Sequence, residues 1–261
     1  MQKDTINILA IGDITSAGGV KLLRSRLRGL QRDFGADFTV VNGENAAGRG
    51  LTAADADEIM NAGADVITLG NHAYSKREIS GYLDDNGFIL RPANFADAAP
   101  GRGDGVFDSS FGQVRVIALI GRVGMDYGPE NPFVVIKRLL AKNPVKYTLL
   151  DFHAEATSEK YAMAYYLDGQ ISAMWGTHTH VQTSDARVLP RGTGYITDLG
   201  MSGPVNSVIG MNPEQSINSF LGIPKDHYKA ADGVCGIEGA VFQLDRETGL
   251  CLSVESFRTQ Q

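Results

Sequence analysis

An α/β layered fold is predicted by three features of this 261-residue sequence. Short apolar runs rich in β-branched residues alternate with segments of helical apolar spacing through most of the chain. Several of those runs break off at a Gly-Asp, Gly-Asn or His. Towards the C-terminus the strand-like runs lose their intervening helices, so antiparallel pairs are expected to join the sheet there.

Residues 6–11 read as a buried strand that stops at Gly12-Asp13. Residues 16–34 carry apolar side chains at helical spacing. A second short strand, 38–41, runs into a glycine- and asparagine-rich stretch, 42–50, whose backbone needs angles that suit glycine. Thr52 is placed to cap a helix reaching about Asn61. A third strand, 66–69, ends at Gly70-Asn71-His72, and Ser75-Lys76-Arg77-Glu78 matches a capping box ahead of a helix. Residues 91–112 are rich in Gly, Ala, Asp and Pro and read as loop or short hairpin; 114–120 reads as a strand. Asn131-Pro132 opens a helix with proline in its first turn.

Residues 147–152 form a strand ending at His153, and 157–167 a helix stopped by Gly169. A further strand, 171–175, leads into Gly176-Thr177-His178-Thr179-His180. A short strand at 195–197 and a helix behind Asn212-Pro213 follow. The chain closes with a hairpin, 234–244 and 250–257, turned by Arg246-Glu247-Thr248-Gly249. No repeat, linker or low-complexity segment interrupts this order, so 1–261 is expected to be a single domain.

Composition excludes several classes. With 43% apolar and 21% charged residues the chain is neither a disordered tail nor a fibrous protein. Lys and Arg number 24 against 30 Asp and Glu, a net charge of −6. Such a chain gains little from the counterion release that drives general nucleic-acid binding, so no stable nucleic-acid complex is expected. The basic run Lys21, Arg24, Arg26, Arg28 reads as a solvated helix face. No uninterrupted apolar stretch is long enough to cross a bilayer, so no membrane association is expected. A cytoplasmic location is expected, with Cys235 and Cys251, which flank the predicted hairpin turn, as reduced thiols. Trp175 reads as core, and His227 as structural or exposed.

The polar residues carry the functional signal. Asp13, Glu44-Asn45, Asn71-His72, His153, and His178 with His180 each follow a predicted strand, where open α/β sheets bind ligands. Four of the five histidines fall in this set. Imidazole with carboxylate and amide oxygen, and no thiolate, suits Fe, Mn or Zn. In extended backbone His178 and His180 would point the same way. There are more candidate ligands than one open catalytic site needs, and two metals sharing a carboxylate would use them.

These motifs resemble the dinuclear metallophosphoesterases of the calcineurin-like superfamily, and more finely its YmdB-like bacterial branch of cyclic-nucleotide phosphodiesterases. Three strings carry the finer match: Asn42-Gly43-Glu44-Asn45-Ala46-Ala47-Gly48, Asp151-Phe152-His153-Ala154-Glu155-Ala156-Thr157-Ser158-Glu159-Lys160, and Gly176-Thr177-His178-Thr179-His180-Val181-Gln182-Thr183. The segment 195–204 is similar to that branch as well. The resemblance implies an α/β sandwich of two mixed β-sheets flanked by helices. It implies that Asp13, Glu44, Asn45 and His180 hold one metal and Glu44, Asn71, His153 and His178 the other. His72 would be the catalytic proton donor rather than a ligand. Iron is the first expectation for the ions, with manganese or zinc as alternatives, divalent or mixed-valence.

The implied reaction is hydrolysis of a small phosphodiester such as 2′,3′-cAMP by a metal-bridging hydroxide, with His72 protonating the departing ribose oxygen. The implied assembly is a homo-oligomer. Alternatives are a phosphatase or a signalling protein of the same fold with altered substrate choice. The branch pattern is also broken in places. Ser16 stands where the branch has glycine, Val20 where it has arginine, and Ala73-Tyr74-Ser75 where it has Thr-Trp-Asp. These departures bear on substrate choice rather than on the ligands. Asp151, Glu155 and Asp198 lie near the site loops and are weaker candidates for supporting roles, and Asn206, Ser207 and Gly210 for lining the substrate pocket.

Overall fold

The computed structural model describes residues 4–126, 128–223 and 229–260. The first half gives β1 (Thr5–Ile11), β2 (Asp13–Ile14), α1 (Ser16–Asp33), β3 (Phe38–Asn42), α2 (Ala53–Ala62), β4 (Val66–Thr68), α3 (Ile79–Asp85) and β5 (Ile89–Leu90). Next come β6 (Asp104–Ser109), β7 (Gly112–Ile120), α4 (Pro132–Lys142), β8 (Tyr147–His153), α5 (Thr157–Leu167) and β9 (Ala173–Thr177). The chain ends with β10 (Arg187–Val188), β11 (Gly194–Ile196), β12 (Met201–Pro204), α6 (Pro213–Phe220), β13 (Cys235–Asp245) and β14 (Cys251–Gln260).

Two mixed sheets result. The first runs β2-β12-β13-β1-β3-β4-β5, with β14 also on β13. Its strands β1, β3, β4 and β5 are parallel, and β13 enters antiparallel against β1. The second runs β10-β11-β9-β8-β7-β6, parallel from β11 to β7 with antiparallel edges. The antiparallel pairs expected late in the chain are therefore present.

Side-chain alternation along the strands sets the layers. On β1, Ile6, Ile8 and Ala10 face a core shared with Val114, Val116 and Trp175 of the other sheet. Leu9 and Ile11 face the opposite way, onto Leu23 and Leu27 of α1 and Ile59 of α2. On the far side, Ile117, Leu119, Leu150 and Phe152 meet Val135 and Ile136 of α4 and Met163 and Leu167 of α5. The order is helix, sheet, sheet, helix. Central strands buried on both faces need mostly apolar residues, which is why β1 reads as a near-continuous apolar run broken by Asn7. Trp175 is core as expected, its ring 5.5 Å from that of Phe242.

Caps show where the local signals worked. The Thr52 hydroxyl accepts from Asp55 N at 3.1 Å, and Asn131 and Asn212 accept from Phe133 N and Gln215 N. The Ser75 capping box does not form. Ser75 N is used by His72 O in a turn, and α3 begins only at Ile79 behind an uncapped Glu78. Cys235 and Cys251 are free and buried as expected. They open β13 and β14 at opposite ends of the hairpin, since Cys251 pairs with Leu244 and Gly236 with Gln260, so a bridge between them is excluded. His227 lies outside the described residues. Among the described residues no helix is long and apolar enough to cross a membrane.

Ser16, at the first position of α1, has φ 68°. An L-residue in this left-handed conformation costs about 1–2 kcal/mol that glycine avoids. Ser16→Gly is therefore expected to stabilise the protein by about 1 kcal/mol, part of the gain being offset by glycine's extra unfolded-state entropy. A rise of about 2–4 °C in Tm would show it, and an unchanged or lower Tm would contradict it.

Candidate metal centre

The carboxyl ends of parallel strands from both sheets meet at one rim. Asp13 opens β2 just past β1, Glu44 and Asn45 follow β3, Asn71 and His72 follow β4, His153 ends β8, and His178 and His180 follow β9. The site is thus built from two facing sheets rather than from the edge of one. Gly70 permits the approach, since a Cβ there would run into Glu44 Oε2 and the His153 ring.

All eight residues singled out in the sequence join one contact network. His153 Nε2 lies 2.9 Å from Asn71 Oδ1, 3.1 Å from Glu44 Oε1 and 3.0 Å from His178 Nδ1. Beside this group, His180 Nε2 is 3.7 Å from Asp13 Oδ1 and 3.2 Å from Asn45 Nδ2, and Asn45 Nδ2 reaches Glu44 Oε1 at 3.4 Å. Asp13 Oδ2 accepts from His178 N at 3.1 Å. His72 sits at the margin, with its N–H 3.4 Å from Glu44 Oε2 and its Nδ1 3.5 Å from Asn71 Nδ2. One expectation fails: His178 and His180 are not on an extended segment. Their φ values are 101° and 62°, and β9 ends before them at Thr177.

Each imidazole has its far nitrogen engaged, which fixes what the near one presents. Thr177 Oγ1 donates to Asp151 Oδ1 at 2.7 Å, so it accepts from His153 Nδ1 at 2.9 Å. His178 Nε2 faces Glu155 Oε2 at 3.2 Å, and His180 Nδ1 faces Ile209 O at 3.0 Å. The nitrogens turned inward therefore carry lone pairs. The inward nitrogen of His153 meets the Glu44 and Asn71 oxygens and His178 Nδ1, all of which carry lone pairs, at about hydrogen-bond distance. A proton on Glu44 or His153 would satisfy one such contact at a time, whereas a cation would accept several of these lone pairs at once. Asp13 Oδ1 adds to this, being fully buried with no hydrogen-bond partner. Glu44, His153 and His178 offer ligand atoms all within 4.8 Å of one another.

Electrostatics agree. Burial pushes the Asp13 carboxyl up to about 6 and raises Glu44 above its usual range. Burial lowers His153 and His72, and burial together with neighbouring His153 takes His178 down to about 4. The cavity thus disfavours the charged forms of Asp13, Glu44, His72, His153 and His178, and a bound positive ion would reverse that for the carboxylates.

Supporting residues come from further out. Asp151, fully buried, accepts from Asn42, Thr68 and Thr177. Asp198 holds the histidine loop through Thr179 N and Oγ1, at 3.2 and 2.8 Å, and pairs with Lys160 Nζ at 2.8 Å with neither side chain exposed. Asp151, Glu155 and Asp198 thus do touch the site's residues or their loops. The sequence reading did not find Thr177, Lys160, Asn42 or Arg49. Lys160 lies within a string that pointed to the family, but nothing local marked it as buried. Replacing it with methionine strands the Asp198 charge, at a cost of about 3–5 kcal/mol. Denaturant unfolding of Lys160→Met checks this; stability within 1 kcal/mol of wild type, a rough threshold set by typical surface effects, would refute it.

The family model for YmdB-like proteins matches residues 9–257. The chain belongs to the YmdB-like family. Within it, this member is 40% identical over 253 residues to a Bacillus subtilis protein named 2′,3′-cyclic-nucleotide 2′-phosphodiesterase, covering 96% of each chain. It is 34% identical to a Mycoplasma pneumoniae protein named as a putative phosphatase/phosphodiesterase, over 98% of this chain and 93% of that one. A crystal structure of a phosphatase from Mycoplasma pneumoniae superposes with a TM-score of 0.93 at 33% identity, covering 99% of this chain and 95% of the other. A Thermus thermophilus structure superposes with a TM-score of 0.91 at 35% identity, covering 98% and 100%.

Proposed function

We propose that this YmdB-like protein is a metal-dependent phosphoric diester hydrolase with a calcineurin-like fold, acting on cyclic nucleotides such as 2′,3′-cAMP. The observation that carries the reading is the set of inward lone pairs converging around His153 Nε2, which one bound cation would satisfy together. The contacts fall into two groups sharing Glu44. Glu44, Asn71, His153 and His178 would hold one ion, and Asp13, Glu44, Asn45 and His180 a second. Nitrogen and oxygen donors without thiolate suit iron, manganese or zinc. When bound, such ions supply Lewis acidity, polarising phosphoryl oxygens and lowering the pKa of a coordinated water.

The chain's own residues supply orientation and protons. Thr177, Glu155 and Ile209 O fix the three imidazoles through their far nitrogens, which sharpens ligand geometry. His72 stands outside the ligand groups. In the neutral ring Arg49 Nε donates to its Nδ1 at 3.3 Å; the imidazolium, with a proton on each nitrogen, gives up that bond and can donate from Nε2. From there His72 can protonate the departing ribose oxygen, a poor leaving group without an acid. The exposed Arg49 guanidinium beside it offers positive charge to the phosphate oxygens.

The name of the Bacillus subtilis relative supports the cyclic-nucleotide substrate. The names of the Mycoplasma relatives favour a second reading, a phosphatase on the same site. Metal content of the purified protein, with turnover of 2′,3′-cAMP and of p-nitrophenyl phosphate, separates them. Two metal equivalents and cyclic-nucleotide turnover are expected. Monoester turnover alone selects the phosphatase, and no metal after Mn²⁺ or Fe²⁺ loading removes both. The reading extends to a cytoplasmic homo-oligomer. The free thiols suit a reducing compartment, and Phe220 and Leu221, large and exposed at the end of α6, suit burial against another copy.

A further inference from the structure

A cavity of about 630 Å³ lies beside the imidazole cluster. That volume is within the ~300–1,000 Å³ of pockets that take small ligands. Asn71 lines it, and the same side chain places Oδ1 2.9 Å from His153 Nε2, so cavity and cluster share a wall. Tyr74, Phe95 and Pro129 give the cavity aromatic and apolar surface, and Asp97 and Glu130 add carboxylates. The described residues that line it include no Lys or Arg. The Tyr74 ring is held in place: its hydroxyl donates to Pro100 O at 2.7 Å, and it lies 6.0 Å from the Phe95 ring at 32°.

This chemistry selects which end of a substrate enters. Glu130 is already paired with Arg138 Nη2 at 3.0 Å, so the described lining offers a phosphate carboxylates and no cation. A flat, uncharged ring finds aromatic surface to stack on, and its N–H groups find carboxylate acceptors. The phosphate then belongs at the cluster, one side chain away. We propose that the cavity is a nucleobase subsite, with the Tyr74 ring as its stacking surface. The proposal rests on the phosphodiesterase reading above and adds to it the part of the substrate that is not hydrolysed.

The test compares two substrates of the metal-loaded full chain. One is 2′,3′-cAMP; the other is glycerol 1,2-cyclic phosphate, which has the same reacting ring and no base. Tyr74→Ala is expected to raise KM for 2′,3′-cAMP by roughly 5- to 100-fold, the range of aromatic–base stacking. Its kinetics on the base-free substrate should match wild type. Tyr74→Phe keeps the ring and should behave as wild type on both. Equal losses on both substrates mean general damage to the site and overturn the subsite, as does no change on either. Binding of adenosine 2′-monophosphate, measured by calorimetry, reads the subsite without turnover. Wild type should bind it more tightly than glycerol phosphate, and Tyr74→Ala should erase that difference. If wild type shows no such difference, the subsite is wrong; if it binds but hydrolyses neither cyclic ester, the phosphodiesterase reading is wrong instead.

Discussion

Glu44→Gln is expected to lose bound metal and at least about 10³-fold in turnover, because Lewis-acid assistance is worth several kcal/mol and each 1.36 kcal/mol is tenfold in rate. Glu44 contacts side chains of both ligand groups, through His153 Nε2 at 3.1 Å and Asn45 Nδ2 at 3.4 Å. Glutamine keeps its shape but not its charge. Glu44 is also buried where its ionised form is disfavoured. Metal-free Glu44→Gln should therefore be at least as stable as metal-free wild type, and only the metal-dependent gain in Tm should vanish. Elemental analysis and melting curves with and without Mn²⁺ separate these effects. A variant that keeps both metal equivalents and its turnover would remove Glu44 from the ligand set.

His72→Ala should leave the metals in place and cost about 10²–10⁴-fold on 2′,3′-cAMP, the usual range for a lost general acid. The loss should shrink with bis-p-nitrophenyl phosphate, whose leaving group needs little protonation. The sign of the pH dependence follows from burial, which holds His72 below its usual 6.5. With the imidazolium as donor, the wild-type rate falls as pH rises through that lowered pKa, and the limb is absent from the variant. Equal losses on both substrates, or an unchanged pH profile, would assign His72 to structure instead.

Much of this architecture was legible in the chain because burial writes itself into sequence. Strands buried on both faces, such as 6–11 and 147–152, are mostly apolar, and the polar residues they carry are hydrogen-bonded, as Asp151 is to Asn42, Thr68 and Thr177. Their ends must then be marked by whatever the site requires, so Asp13, Glu44, His153 and His178 stood out. The elements that were not legible are those whose existence depends on a partner. β2 and β5 have two residues each and form only because β12 and β4 lie alongside. The Ser75 box was outcompeted by a turn that brings Asn71 and His72 to the cluster. The left-handed backbone at His178 and His180 has no local signature in residues that ordinarily avoid it. Lys160 looked like any surface lysine of a helix, and only the tertiary position of Asp198 makes it a buried ion.

The place of β13 in the first sheet has a consequence for biosynthesis. It lies between β1 and β12, pairing Thr5 with Asp245 and Gly203 with Gly236. The ribosome therefore releases this inner strand of the sheet more than 200 residues after β1. Asp13 reaches the cluster from β2, which is tied to β13 only through β12. An emerging chain already carries every proposed ligand side chain once residue 180 has appeared, yet lacks the strand that aligns them. Pairings so distant along the chain close slowly. A chain that stops short of β13 is thus expected to lack the aligned centre.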